Sequence, residues 1–319
     1  MRSWVVLMRK ALTAVMLFAA IPPVWGLERI VFTPQWTAQA EFAGYYVAKE
    51  KGYYRDVGLD VEIVHPTLSQ PVMDRVINGD CQATTLQLCQ ALEVIDRGIP
   101  LVNILQTSMN EGLVIISSRG KNPLTRKGAR VGVSSMSFVH MAMCMSKKEG
   151  LDCQWVTAAR PVNLFLAGAV DAILGMSYNE LYRLMQSGVE LDEECIYRFS
   201  DHGYNIQAEG LYVTYDYYST HRQEARNFAK ATRQGWEWAA GHPEEALEIV
   251  SKYIKVDRVA TNRELQRLML KEVLRLQVDR ESGKREFRLR PDMVKRANEL
   301  MLEGHMLQRE IMYEELIER

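Results

Sequence analysis

The sequence predicts an α/β protein of two lobes, with a hinge and a C-terminal helical segment. Three observations carry that expectation. Short apolar strands alternate with helices over residues 27–117. A second such set follows the turn-rich stretch 119–123. Beyond Tyr218 only helical periodicity remains. The chain divides accordingly into 1–26, an export signal; 27–117, the first part of lobe I; 118–212, lobe II; and 213–319, a return to lobe I and the C-terminal helices.

The 319 residues are 47% hydrophobic and 25% charged, which excludes disordered, collagen-like and coiled-coil classes. With 39 basic against 40 acidic side chains there is no electrostatic case for nucleic acid as partner. Arg2, Arg9 and Lys10 form a positive start, and 11–21 is an apolar run too short to span a bilayer comfortably. Pro22 and Pro23 break it, and Val24 and Gly26 occupy the positions read at cleavage. Cleavage after Gly26 is expected, giving a periplasmic chain from Leu27; an uncleaved anchor is the alternative. Without the signal the net charge is about -4, from 36 basic and 40 acidic side chains. Five cysteines, at 81, 89, 144, 153 and 195, cannot all pair internally and show no zinc-type spacing. Buried thiols and one or more bridges both stay open.

In chain order, 29–33 reads as a strand and 43–51 as a helix stopped by Gly52. Residues 59–64 alternate strictly, as a half-buried strand does. Val72, Met73, Val76 and Ile77 recur at helical spacing before the stop Asn78-Gly79-Asp80. Residues 86–95 are helical, and Arg97-Gly98-Ile99-Pro100 turns into a strand at 101–105, with another at 112–118. The second set holds strands at 129–133, 169–174 and 210–214 and a helix at 137–148. Helices at 222–240, 243–253, 262–276 and 291–307 complete the chain. Alternation of this kind implies largely parallel sheets, crossed by the chain near 115–118 and 211–215. Ligands in such folds sit in the cleft, outside the strand C-termini, and closure about the crossings buries them.

No nucleophile elbow, zinc-protease helix, Walker loop or dinucleotide motif occurs, so no catalytic residue, metal or cofactor is assigned. The six histidines, at 65, 140, 202, 221, 242 and 305, lack triad or ligand spacing and read as surface or packing residues. The stretch 33–60, TPQWTAQAEFAGYYVAKEKGYYRDVGLD, is the most informative. Gln35, Trp36, Thr37, Gln39 and Glu41 fall between a strand end and a helix start. An indole beside amides and a carboxylate can stack a flat ring and satisfy its polar edge. The alternative is a core Trp with the amides as N-caps. Tyr45 and Tyr46 follow on the helix, where only one can face the cleft.

The Trp loop followed by FAGYYVAKEKGYYRDVGLDVEI resembles the opening of the thiamine-pyrimidine-precursor-binding family of periplasmic solute-binding proteins. VINGDCQATTLQ at 76–87, DRGIPLV at 96–102, GARVGVSS at 128–135 and AGAVDAILGMSYNE at 167–180 follow in order. The similarity covers nearly all of 27–218. It implies the type II periplasmic-binding-protein design of two α/β lobes, and delivery of a pyrimidine thiamine precursor to an ABC transporter. Carried onto this chain, it implies a cleft with one wall at Gln35, Trp36, Gln39, Glu41 and Tyr45. Thr84, Thr85 and Leu86, at a helix start, would present hydroxyls and backbone N–H groups. Ser134, Ser135, Met136 and Ser137 would hold an anionic or carbonyl group on their amides, or Ser137 would simply cap the next helix. Tyr178, Asn179 and Glu180 would supply a carboxylate to accept from an aminopyrimidine's exocyclic amine, unless Glu180 is only a solvated helix-start residue. Tyr204 and Glu209 are further candidates.

Two departures bear on the ligand. Bacterial relatives that bind pyrimidines often carry Asn or His after the Trp, whereas this chain has Ala38-Gln39-Ala40-Glu41. Eukaryotic relatives are synthases that use a Lys and a His on the stretch corresponding to 84–90 and a cysteine-rich motif; here that stretch reads TTLQLCQ, without a cysteine cluster. The expected function is a monomeric periplasmic solute-binding protein, not an enzyme. It would bind a small heteroaromatic solute and pass it to an ABC permease in the inner membrane. A ligand sensor signalling to a separate membrane receptor kinase is the second expectation, and a thiamine-pyrimidine synthase the third.

Overall fold

A computed structural model describes residues 26–317 apart from Leu68, Pro123, Thr125, Ser137, Phe138 and Leu151. The expected export signal, but for its last residue, and the Ser137 cap therefore lie outside the described residues. Two five-stranded sheets form the frame. The first runs in the order β2 (Leu59–Ile63), β1 (Glu28–Thr33), β3 (Ala83–Gln87), β10 (Glu209–Thr214), β4 (Leu101–Gln106). The second runs β7 (Cys153–Thr157), β6 (Ala129–Val133), β8 (Ala172–Met176), β5 (Leu113–Ser117), β9 (Ile196–Arg198).

Each sheet is mixed rather than largely parallel. Strand β10 is antiparallel to β3 and β4, and β5 is antiparallel to β8 and β9. These two are the strands that enter a sheet from the other lobe. A strand arriving that way needs no helical crossover and is free to insert antiparallel. The passages between sheets therefore lie at 107–112 and 199–208, ahead of β5 and β10, and not within 115–118 and 211–215. Alternating apolar residues mark a strand but do not say which sheet receives it.

Helices α1 (Ala43–Glu50), α2 (Tyr53–Asp56), α3 (Val72–Ile77) and α4 (Leu88–Asp96) belong to the first set. Helices α5 (His140–Glu149), α6 (Pro161–Leu166) and α7 (Glu180–Gln186) belong to the second. The tail holds α8 (Tyr215–Thr220), α9 (Arg222–Gly241), α10 (Pro243–Val256), α11 (Arg263–Leu276), α12 (Pro291–Glu303) and α13 (Tyr313–Leu316). Pro243 and Pro291 open α10 and α12, where a missing N–H costs nothing. Helix α1 packs against α9 and α10. Glycines permit close contact at the first crossing: a Cβ on Gly235 would stand 2.1 Å from the Gly44 carbonyl oxygen. Side chains of any size there would force the helices apart.

Period-two alternation sorts the core. Leu113 and Ile115 of β5 join one cluster and Val114 and Ile116 another. The first cluster spans both lobes, taking Leu88 and Ile95 from α4, Val131 from β6 and Val294, Leu300 and Met301 from α12. The tail thus reaches beyond the first lobe. Helix α12 rests on α4 and α5, and α11 rests on the 3-10 turn Ala40–Phe42 and on α7. All five cysteines are free thiols, four of them buried.

Candidate functional site

The Trp36 loop leaves the end of β1 and is tied down on three sides. The Gln35 backbone N–H donates to Thr85 Oγ1 of β3 at 3.0 Å, and the Ala40 N–H donates to Gln266 Oε1 of α11 at 2.7 Å. From behind, His65 Nδ1 lies 2.6 Å from the Trp36 carbonyl oxygen and Nε2 lies 2.8 Å from the Tyr46 hydroxyl. A carbonyl only accepts, so Nδ1 carries the proton and Nε2 accepts from Tyr46. Burial pushes the His65 pKa down, in keeping with this neutral ring.

The opposite wall comes from the end of β8. A Cβ on Gly175 would lie 2.4 Å from Glu180 Cγ, so glycine leaves the room that Glu180 needs to fold back. The Met176 N–H then donates to Glu180 Oε2 at 2.8 Å, and Asn179 Nδ2 donates to Oε1 at 3.1 Å. Arg183 Nε donates to Asn179 Oδ1 at 2.8 Å and so holds that amide in place.

Between the walls lies a buried carboxyl cluster. Gln35 Nε2 donates to Glu41 Oε1 at 3.2 Å and to Glu209 Oε2 at 2.6 Å. Gln39 Nε2 also donates to Glu41, and Thr107 Oγ1 donates to Glu209 Oε1 at 3.1 Å. The Tyr178 hydroxyl, from the second lobe, donates to Glu41 Oε1 at 2.9 Å and ties the lobes together. Burial raises the pKa of Glu41, Glu180 and Glu209. Glu209 is raised furthest, with the Glu41 charge adding to desolvation. Two buried carboxyls held by one Gln amide titrate as a pair that keeps a proton.

The gap encloses about 470 Å³ of empty space, part of it open to solvent. Gln35, Trp36, Gln39, Glu41, Ser134, Tyr178, Asn179 and Glu180, all singled out in the sequence, line it. Leu113, Val133, Leu174, Gly175 and Met176 complete the lining. Met176 also borders two adjoining recesses, so its side chain stands where the interlobe space divides.

Other expected residues fall elsewhere. Tyr45 is buried in the core, its ring stacked on Phe32 at 4.5 Å between centroids, because its face of α1 turns toward β1 and α9. Thr84 and Thr85 lie inside β3 rather than at a helix start, in register with Tyr212 and Leu211 of β10. Their contribution is indirect, through the Thr85 hydroxyl that holds Gln35. Ser135 and Met136 are not among the lining residues, and Met136 is 43% exposed. Tyr204 donates to Glu149 at 3.2 Å, away from the cleft. Glu209, a secondary candidate in sequence, is central. Thr107 carried no sequence signal, Met176 only its place within the 167–180 stretch, and His65 only that of a surface or packing residue.

Residues 39–246 match the family model described as NMT1/THI5 like. The formylaminopyrimidine-binding protein of Halalkalibacterium halodurans is 24% identical over 236 residues, 70% of each chain. The 4-amino-5-hydroxymethyl-2-methylpyrimidine phosphate synthase of Candida albicans is 22% identical over 235 residues, 69% of each chain. Among solved structures, a ligand-binding component of an ABC-type import system from Staphylococcus aureus is similar with a TM-score of 0.67 and 10% identity. That match covers 91% of this chain and 96% of the other. The periplasmic aliphatic sulphonate binding protein of Escherichia coli gives 0.64 and 12%, with 92% of each chain covered. Both are solute-binding proteins, and at such identities the likeness carries the fold. Among the described residues no helix is long and apolar enough to cross a membrane. The matched family region spans well over half of the sequence, and the two mixed sheets carry the periplasmic-binding-protein fold: this chain belongs to the NMT1/THI5-like family.

Proposed function

We propose that this protein is an exported solute-binding component of an ABC importer that takes up an aminopyrimidine of the thiamine-precursor class. The observation that carries the reading is the pairing of Trp36 with buried carboxyls in a gap whose described lining residues include no Lys or Arg. An aminopyrimidine ring stacks on an indole, and its amine donates to a carboxylate while ring nitrogens accept from Gln or Tyr donors. Sulphonates, the ligands named for the Escherichia coli neighbour, want positive charge and would meet Glu41 and Glu180 instead. The relative named as a formylaminopyrimidine-binding protein supports the same ligand class. Binding is favoured over synthesis because neither Lys nor His is among the described residues lining this gap. The test is a thermal-shift and calorimetric panel on the chain from Leu27. An aminopyrimidine at a hundred times its dissociation constant should stabilise the fold by about 2.7 kcal/mol. Stabilisation by an alkanesulphonate and not by any aminopyrimidine would reverse the assignment.

A further inference from the structure

We infer that His65 and Tyr46 are positioning residues for the solute: they close a one-way hydrogen-bond circuit around the Trp36 turn, and that circuit opens when His65 takes up a proton. Neither is among the described residues lining the gap. The Trp36 carbonyl accepts from His65 Nδ1 at 2.6 Å, and the Tyr46 hydroxyl donates to His65 Nε2 at 2.8 Å. Burial pushes the Tyr46 pKa up, and a hydrogen bond from the Gln39 backbone pulls against it, as only a donated N–H can. One chain of donors thus runs from the Gln39 N–H through Tyr46 and His65 to the Trp36 carbonyl. It joins the two ends of the turn that brings Trp36 to the gap.

The circuit has a direction because each member has a fixed role. Neutral His65 offers one donor and one acceptor; once protonated, both of its nitrogens donate. Tyr46 then meets a donor on each side, and its own hydrogen loses its acceptor. Water cannot repair the loss, since Tyr46 is fully buried and the His65 side chain is 7% exposed. The carboxylate facing Nε2 is Asp257 at the end of α10, 3.9 Å away, and reaching it draws the ring off the Trp36 carbonyl. Asp257 and Tyr253 of α10 and Glu41 of the loop are the titratable groups that face the pair. Tyr253 is stacked on Tyr46 at 4.0 Å between centroids, which keeps that ring from turning aside. Burial holds the His65 pKa below its ordinary 6.5, so the circuit is whole at neutral pH and opens in acid.

This inference rests on the reading of the main gap as an aminopyrimidine site. It is tested by titrating 4-aminopyrimidine into the wild type, His65→Asn and Tyr46→Phe between about pH 8 and pH 5. Asn places an amide N–H where Nδ1 stands but does not titrate. The ratio of the two affinities therefore cancels protons taken up by the ligand and by the cleft carboxyls. Toward the lower pH the wild type should lose about tenfold relative to His65→Asn, the size of one hydrogen bond. Tyr46→Phe, with no hydroxyl to trap, should follow the His65→Asn profile. A constant ratio of wild type to His65→Asn overturns this inference and leaves the aminopyrimidine reading in place, as does a wild-type profile in Tyr46→Phe. Nitrogen-15 NMR of the ligand-free chain reads the circuit directly, the His65 signal being the one that His65→Asn lacks. Its neutral ring should carry the proton on Nδ1, and a proton on Nε2 overturns the inference. Failure of the wild type to bind at any pH takes down the aminopyrimidine reading, and the role in positioning the solute with it.

Discussion

The Trp36 loop is held through its backbone: His65 grips the Trp36 carbonyl, and the neighbouring N–H groups of Gln35 and Ala40 are tied to Thr85 and Gln266. Removing the indole should therefore leave the loop where it is. Trp36→Ala is expected to weaken aminopyrimidine binding by more than about 1.4 kcal/mol, a tenfold change, with circular dichroism unaltered. Unchanged affinity in titration calorimetry would move the ligand elsewhere. The sequence made Gln35, Trp36, Gln39 and Glu41 legible because they crowd one short loop between strand and helix. Glu180 was legible because it opens a helix after a strand. Thr107 was not, because it is brought in by a distant segment and carries no local pattern. Tyr45 misled for a simple reason: helical spacing places it on the same helix as Tyr46 but cannot say which face meets solvent, ligand or core.

The first passage between the sheets, 107–112, carries a buried acid. The Glu111 N–H donates to Asn205 Oδ1 of the second passage at 2.9 Å, and Glu111 Oε1 accepts from the Leu113 N–H at 2.9 Å. Burial pushes its carboxyl up to about 7. A raised folded-state pKa means that the group stabilises the fold while protonated. That contribution is complete below the unfolded pKa of about 4.3 and is lost as the pH rises through about 7. Glu111→Gln stays neutral throughout, so it should flatten the decline in unfolding free energy across that interval. Denaturant titrations at several pH values measure it, and identical pH profiles for both proteins would deny the role. At this scale the sequence was most readable in the regular α/β units, where β1, β2, β4, β6 and α9 to α12 fall close to the expected spans. The strands β5 and β10 also fell where expected, but not the sheets they enter, since joining a foreign sheet is a long-range choice; β7, β9 and residues 84–86 of β3 were not read as strand.

The two lobes share a core. Leu88 and Ile95 of the first set and Val131 and Leu174 of the second belong to one cluster with Val294 and Leu300 of α12. Differential scanning calorimetry should accordingly record one cooperative transition for the ligand-free chain, and two resolved transitions would contradict a shared core. The two-lobed plan was visible in the repeated alternation, but this continuity was not, because a helix pattern shows which residues face inward and not whose interior they enter. The seat of α12 has one more consequence. At its end, a Cβ on Gly304 would stand 2.4 Å from Cys144 Sγ of α5, so the helix rests on the second lobe at the closest approach that a residue permits. On the function proposed above, parting the lobes to let a solute out would disturb that seat, so release would depend on a packed helix joint as well as on the contacts at the cleft.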